Sequence, residues 1–354
     1  MSSPGPRLAI LERPPGLTLA HHVDDDGALW ATAGRRIRRW HNGAAREVAR
    51  FPLALPRDFF AAPRPAARAA RADKANLYRN RRGVVVAVRA GRVYAVRAGA
   101  SLQPLFRLQG DSVLHGGLAE DAQGWTVFGE YFLNPQRGPV RIWRVGPDGQ
   151  AFELAHEFPA AQVRHVHGVY RDPFDPAALW VTVGDAQGEC FVLRTRDRFR
   201  SLEWFGDGGQ TWRAVRLFFT PDHVAWLTDS PAEQNHACRM RRRDGGLETG
   251  QPVDGPAWYG AQTEDGLFVG LTTVEPGSAV LRAQAQVLVS RDAFTWHTAH
   301  AFHKDAWRPL RLFKYGVIHA PSGRMRSDSL WLSGEGLRGL DGACLRVHIV
   351  WEAA

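Results

Sequence analysis

Ala178-Leu-Trp-Val-Thr-Val-Gly-Asp185 is a short apolar, β-branched run that stops on a glycine and a carboxylate. Residues of this type favour a strand, and the glycine marks its end. The pattern returns as Ala28-Leu-Trp-Ala-Thr-Ala33, Gly124-Trp-Thr-Val-Phe-Gly-Glu130 and His223-Val-Ala-Trp-Leu-Thr-Asp229. It returns again as Gly266-Leu-Phe-Val-Gly-Leu-Thr-Thr273 and Ser329-Leu-Trp-Leu-Ser-Gly-Glu335, and the valine-rich Gly83-Val-Val-Val-Ala-Val-Arg89 fills the one gap. Seven runs about 40–60 residues apart lie in the range of propeller blades.

The flanks repeat as well. A strand-like stretch ending in a turn precedes each run, as in Tyr170-Arg-Asp-Pro-Phe-Asp-Pro176. Two more β-rich stretches follow, as in Pro139-Val-Arg-Ile-Trp-Arg144 and Ala151-Phe-Glu-Leu-Ala-His-Glu-Phe158, parted by Gly146-Pro-Asp-Gly149. Four short strands with Gly, Pro and Asp turns make one blade. The expectation is an all-β, seven-bladed β-propeller of four-stranded blades occupying 1–354 as one domain, six or eight blades being the neighbouring solutions. Residues 1–14, through Leu8-Ala-Ile-Leu11, are expected to close the ring by pairing with the last blade at Leu345-Arg-Val-His-Ile-Val350. One stretch, Ala61–Ala75, has helical character, interrupted by Pro63 and Pro65.

Composition agrees with this. The 354 residues are 44% hydrophobic and 23% charged, with 13 Trp, which excludes a disordered chain. Cys190, Cys238 and Cys344 are too few and too scattered for a disulfide framework or a thiolate zinc site. No apolar run approaches a membrane span, and the first residues lack a signal-peptide pattern, so a cytoplasmic monomer with no membrane partner is expected. The net charge is +9, but only Lys74, Lys304 and Lys314 are lysine and the arginines form no single stripe. No nucleic-acid motif accompanies Arg35–Arg39 or Arg239–Arg243, so the charge reads as a solvated basic surface.

Ser290-Arg-Asp-Ala-Phe-Thr-Trp296 resembles the Asp-box of the sialidase-like BNR-repeat propellers, with Phe294 in place of the usual glycine. Thr195-Arg-Asp197 and Val145-Gly-Pro-Asp-Gly149 are weaker copies at the equivalent turn, whereas Asp207-Gly-Gly-Gln-Thr-Trp212 falls between blades. The resemblance implies a propeller fold and a structural Asp turn between third and fourth strands. It does not extend to sialidase chemistry, because the Phe-Arg-Ile-Pro motif and the Tyr–Glu nucleophile pair are unmatched.

In a propeller the start of a first strand and the end of a second strand share one face. Those positions carry His115, Arg164, His165, His167, Trp212, Arg213, Tyr259, Trp307 and Arg308 from strand starts. Strand-two ends and the loops beyond add Glu130, Tyr131, Asp185, Asp229, Glu335, Glu189, Asn134 and His236. His165 and His167, two apart on a strand, point the same way.

Three chemistries fit. Metal binding would use His115, His165 and His167, completed by Glu130, Asp185 or His236, since imidazole with carboxylate suits a divalent transition metal. Acid–base catalysis would use a histidine or Tyr131 as base, with Arg164, Arg213 or Arg308 holding an acidic group. Two-carboxylate glycoside hydrolysis would use Glu130 with Asp185 or Asp229. Trp212, Tyr259 and His236 are substrate-contact candidates, with Trp212 and Trp307 able to stack on a sugar ring. The functional expectation is a carbohydrate-active lyase or hydrolase with a small-molecule or glycan ligand in the central funnel. The competing expectations are a non-catalytic propeller binding a glycan, peptide or protein, and a tailoring enzyme of specialised metabolism.

Overall fold

The structure, a computed structural model, describes residues 5–96 and 102–351. It is an all-β, seven-bladed β-propeller, and its seven sheets follow one another along the chain. The seven runs quoted above are the second strands of their blades: Leu29–Ala33, Val85–Arg89, Thr126–Gly129, Leu179–Val183, His223–Leu227, Phe268–Thr272 and Leu330–Glu335. Second strands are central in their sheets, hydrogen-bonded along both edges, and their residues are buried on both faces, so apolar β-branched residues dominate. In the fourth blade every residue of Leu179–Val183 is buried.

Blade one differs from the simple pattern. Ser322–Gly323 adds a short parallel strand beside its first strand, Leu19–Val23. Blade seven takes Val317–His319, Leu330–Glu335 and Ala343–Val350 from the chain's end and its fourth strand, Arg7–Glu12, from the beginning. The pairing is antiparallel, with Leu8 opposite Ile349 and Ile10 opposite Val347.

The chain divides into two compact units. One comprises the residues up to Asp73, Pro231–Ala237 and the chain from Thr249 onward; the other comprises Lys74–Ser230 and Cys238–Glu248. The second unit has a core of Val140, Ile142, Val166, Val169, Val181, Val183 and Leu193. Beside it lies a cluster containing Trp180, Trp212, Trp226 and Met240. The indole nitrogen of buried Trp180 donates to Asp172, and that of Trp30 in the other unit donates to Asp24, at 2.8 Å in each case. The same device in two blades lets a large ring be buried with its polar atom satisfied. Arg242 and Arg39 supply the countercharge to Asp172 and Asp24.

The Asp turns are structural. Asp292 accepts from the backbone amides of Phe294 and Thr295 between strands Gln284–Ser290 and His297–His303. Asp197 accepts from Ser201 N between Cys190–Thr195 and Glu203–Gly208. These are Asx-type turns that relieve amides left over at a hairpin. The expected helix over 61–75 is a single short one, Arg64–Ala69, which starts after Pro63 and holds Pro65 in its first turn, where no amide is needed. Among the described residues no helix is long and apolar enough to cross a membrane.

Candidate functional site

Two glycines bring blades three and four together where the histidines lie. A Cβ on Gly129 would sit 2.3 Å from Val166 Cβ, and one on Gly117 would sit 2.8 Å from His167 O. With no side chain at either position, the first strand of blade four, Val166–Arg171, lies directly against blade three. Val166 N donates to Glu130 O, and Val169 N donates to Gly117 O. His165 and His167 flank Val166 and are both buried, at 2% exposure.

Each ring is held by a main-chain carbonyl. His165 Nδ1 is 2.9 Å from Phe132 O, and His167 Nδ1 is 2.9 Å from Ala214 O. A carbonyl only accepts, so in both rings Nδ1 carries a proton and Nε2 is turned to the shared point. The two Nε2 atoms face each other at 3.1 Å. Asp185, just past the second strand of blade four, closes the group with Oδ2 3.3 Å from His165 Nε2 and Oδ1 3.3 Å from His167 Nε2.

Two arginines bracket the carboxylate. Arg164 Nη1 lies 2.9 Å from Asp185 Oδ2, and Arg213 Nη2 lies 3.0 Å from Oδ1. Arg213 also donates to Asp185 O at 2.9 Å and pairs with Asp229 at 3.3 Å. Burial alone would raise the Asp185 carboxyl, but the contacts from His165 and His167 outweigh it and hold the group well below the usual carboxylate range. Burial pushes the His165 imidazole down, against the opposing pull of Asp185. Tyr131 completes the cluster, its ring centroid 4.3 Å from that of His165.

The rim is the loop after the second strand of blade three. Asn134 accepts from Gly138 N and donates to Gly138 O and Arg164 O. Arg137 joins Glu189 in a two-point ion pair and donates to Asn134 O. Leu133, displayed by this pinned loop, is 76% exposed, and its carbonyl accepts from Arg164 Nε.

Of the residues expected at a site, the structure brings together Arg164, His165, His167, Asp185, Arg213, Asp229 and Tyr131. It does not bring the rest. Glu130 is fully buried, and its carboxylate accepts from Gln109 N, Arg141 N and Trp143 Nε1 at 2.9–3.1 Å, a structural role in place of the catalytic one expected. It follows Gly129 at the end of its strand and points into the blade. His115 is buried, and among the described residues the one group with metal-ligand spacing is His165, His167 and Asp185, so Asp185 stands where His115 was expected. Trp212 is no sugar platform: it is 7% exposed and packs at 5.3 Å against Trp226. Tyr259 is buried and stacked on His319, His236 contacts Gly250 O, and exposed Arg308 donates to the carbonyls of Asp305 and Trp307. Trp307 lies under Arg68. Sequence reasoning missed the carbonyls of Phe132 and Ala214, which no residue type signals, and Arg137, whose pairing with Glu189 crosses two blades. Cys190 is no nucleophile, since burial pushes its thiol up to about 11.

Glu130→Ala is expected to lower stability by about 2–3 kcal/mol, because three buried donors lose their acceptor. Denaturant unfolding measures that loss. Activity per folded molecule should stay within about twofold, as Glu130 touches neither histidine side chain.

No family model matches the chain, and no curated protein matches it. Solved structures do resemble it. A TolB-like protein from Agrobacterium tumefaciens aligns at 9% identity over 78% of this chain and 90% of that one, with a TM-score of 0.44. TolB from Acinetobacter baumannii aligns at 11% identity over 79% of this chain and 64% of that one, with a TM-score of 0.43. A gluconolactonase from Xanthomonas campestris aligns at 15% identity over 75% of this chain and 86% of that one, with a TM-score of 0.44. These likenesses are of architecture.

Proposed function

We propose that this protein is an enzyme acting on a hydroxyl-rich carbohydrate that bears a carboxylate, by lyase or hydrolase chemistry, at the cluster of His165, His167, Asp185, Arg164 and Arg213. The observation that carries the reading is the meeting of two imidazole Nε2 atoms with a carboxylate at one point. Groups of this kind that converge draw a positive centre among them. Such a centre beside Arg164 and Arg213 attracts an anionic substrate group and stabilises charge that develops on it.

In the lyase form the proton α to the substrate carboxylate passes to a base. Its electron pair becomes the carbon–carbon double bond, the glycosidic carbon–oxygen bond breaks, and the leaving oxygen takes a proton. Tyr131, over His165, is the group placed to move a proton. Leu133 offers an apolar rim against the less polar face of a sugar ring.

The test is a panel of uronate-containing and neutral oligosaccharides, followed by absorbance of the unsaturated product and by new reducing ends. Turnover of an acidic member, with neutral analogues at least about tenfold poorer, is the expected result. Saturable binding with no bond cleavage across the panel would replace the enzyme by a glycan-binding propeller, and equal turnover of neutral sugars would remove the role given to the positive centre.

A further inference from the structure

We infer that the positive centre is a divalent transition-metal ion of the zinc class, held by His165 Nε2, His167 Nε2 and the Asp185 carboxylate. This deepens the reading above by naming the cofactor of the same site, and the argument is geometric.

Metal–ligand bonds to imidazole nitrogen and carboxylate oxygen are about 2.0–2.2 Å, so ligands about 90–110° apart at the ion must be about 2.8–3.6 Å from one another. The separations here are 3.1 Å between the two nitrogens, 3.3 Å from His165 Nε2 to Asp185 Oδ2 and 3.3 Å from His167 Nε2 to Asp185 Oδ1, so each carboxylate oxygen stands beside one nitrogen. All three fall in that window. The alternative occupant, a proton on one Nε2, accounts for the nitrogen–nitrogen contact, whereas one ion accounts for all three separations at once.

The surroundings match those of a ligand set built in advance. Each imidazole donates Nδ1–H to a carbonyl, which fixes the tautomer and aims Nε2. Asp185 is oriented by Arg164 and Arg213. Three protein ligands leave a coordination position open, as in sites that meet a substrate. Two imidazoles with one carboxylate favour zinc, iron, cobalt or nickel over magnesium or calcium, which prefer oxygen. Arg164 and Arg213 already compensate Asp185 and Asp229, so a loaded site carries net positive charge. That lowers affinity for the ion and raises it for an anionic ligand.

The experiment uses the full chain, freed of metal by chelation and titrated with Zn2+ and, separately, Co2+. The expected result is one equivalent of either ion bound, with cobalt giving the visible absorption of a low-coordinate nitrogen–oxygen site. His165→Ala, His167→Ala and Asp185→Asn should each weaken binding at least about 100-fold, while Glu130→Gln leaves it unchanged. Circular dichroism establishes that each variant is folded; if one is not, competition of Zn2+ with Co2+ in the wild type tests the same site. Binding unchanged in the His165→Ala, His167→Ala double variant would place the ion elsewhere and overturn the inference, as would the absence of a stoichiometric site. Full turnover of an acidic oligosaccharide by chelated protein would overturn the metal and leave the proposed function standing. Stoichiometric metal with no carbohydrate turnover would do the reverse.

Discussion

Asp185→Ala is expected to abolish turnover and to lower the melting temperature by about 4 °C, on a stability loss of about 3 kcal/mol in a chain of this length. The carboxylate meets two guanidinium groups, Arg164 and Arg213, and the Nε2 edges of His165 and His167. Deleting it leaves two guanidinium groups that have lost a shared anion, Arg213 keeping its pair with Asp229. Breaking a buried pair by removing one partner is costly because the other charge stays behind uncompensated. The same deletion removes the anion that favours a positive centre between the imidazoles. Asp185→Asn separates the two effects. It keeps the shape and one acceptor, so it should recover part of the melting temperature and none of the turnover. A thermal melt and a progress curve on each variant give the answer; an active Asp185→Ala protein would remove this residue from the site.

His165→Ala and His167→Ala are each expected to reduce kcat/KM by roughly 10²–10⁴-fold. The rings form one unit, Nε2 to Nε2 at 3.1 Å, so losing either leaves the other unable to hold the positive centre. Their losses should therefore not add, and the double variant should be no worse than about threefold below the poorer single one. Stopped turnover assays on the two single variants and the double variant check both the size and the non-additivity. Additive losses would mean that the histidines act at separate points.

The contrast between Asp185 and Glu130 shows how far residue type and position carry. Both are carboxylates at the end of a second strand, in successive blades. In pattern they are equivalent. In space Glu130 turns into its blade and is consumed by three structural donors, while Asp185 turns towards the first strands of blades four and five. His165 and His167 were legible as a pair, although the alternation expected of them does not hold: His165 precedes the strand Val166–Arg171 and the register shifts between Val166 and Gly168. Their partners were not legible: Phe132 O and Ala214 O belong to neighbouring blades and to atoms every residue has. Trp212 and Tyr259 failed as surface candidates for a related reason, since burial of an aromatic ring depends on the neighbouring element rather than on its own sequence.

The blade is written in local sequence. Strand alternation, turn residues and the recurrence of a buried second strand are local properties, repeated seven times. The pair His165 and His167 is visible there too, as two histidines at the start of one blade. Packing between blades sets which carboxylate faces that pair, which carbonyl holds each imidazole, and that among the described residues His115 lies outside the group with metal-ligand spacing. Those outcomes depend on how closely one blade approaches the next. That approach is set at Gly117 and Gly129, where the absence of a side chain lets two backbones meet.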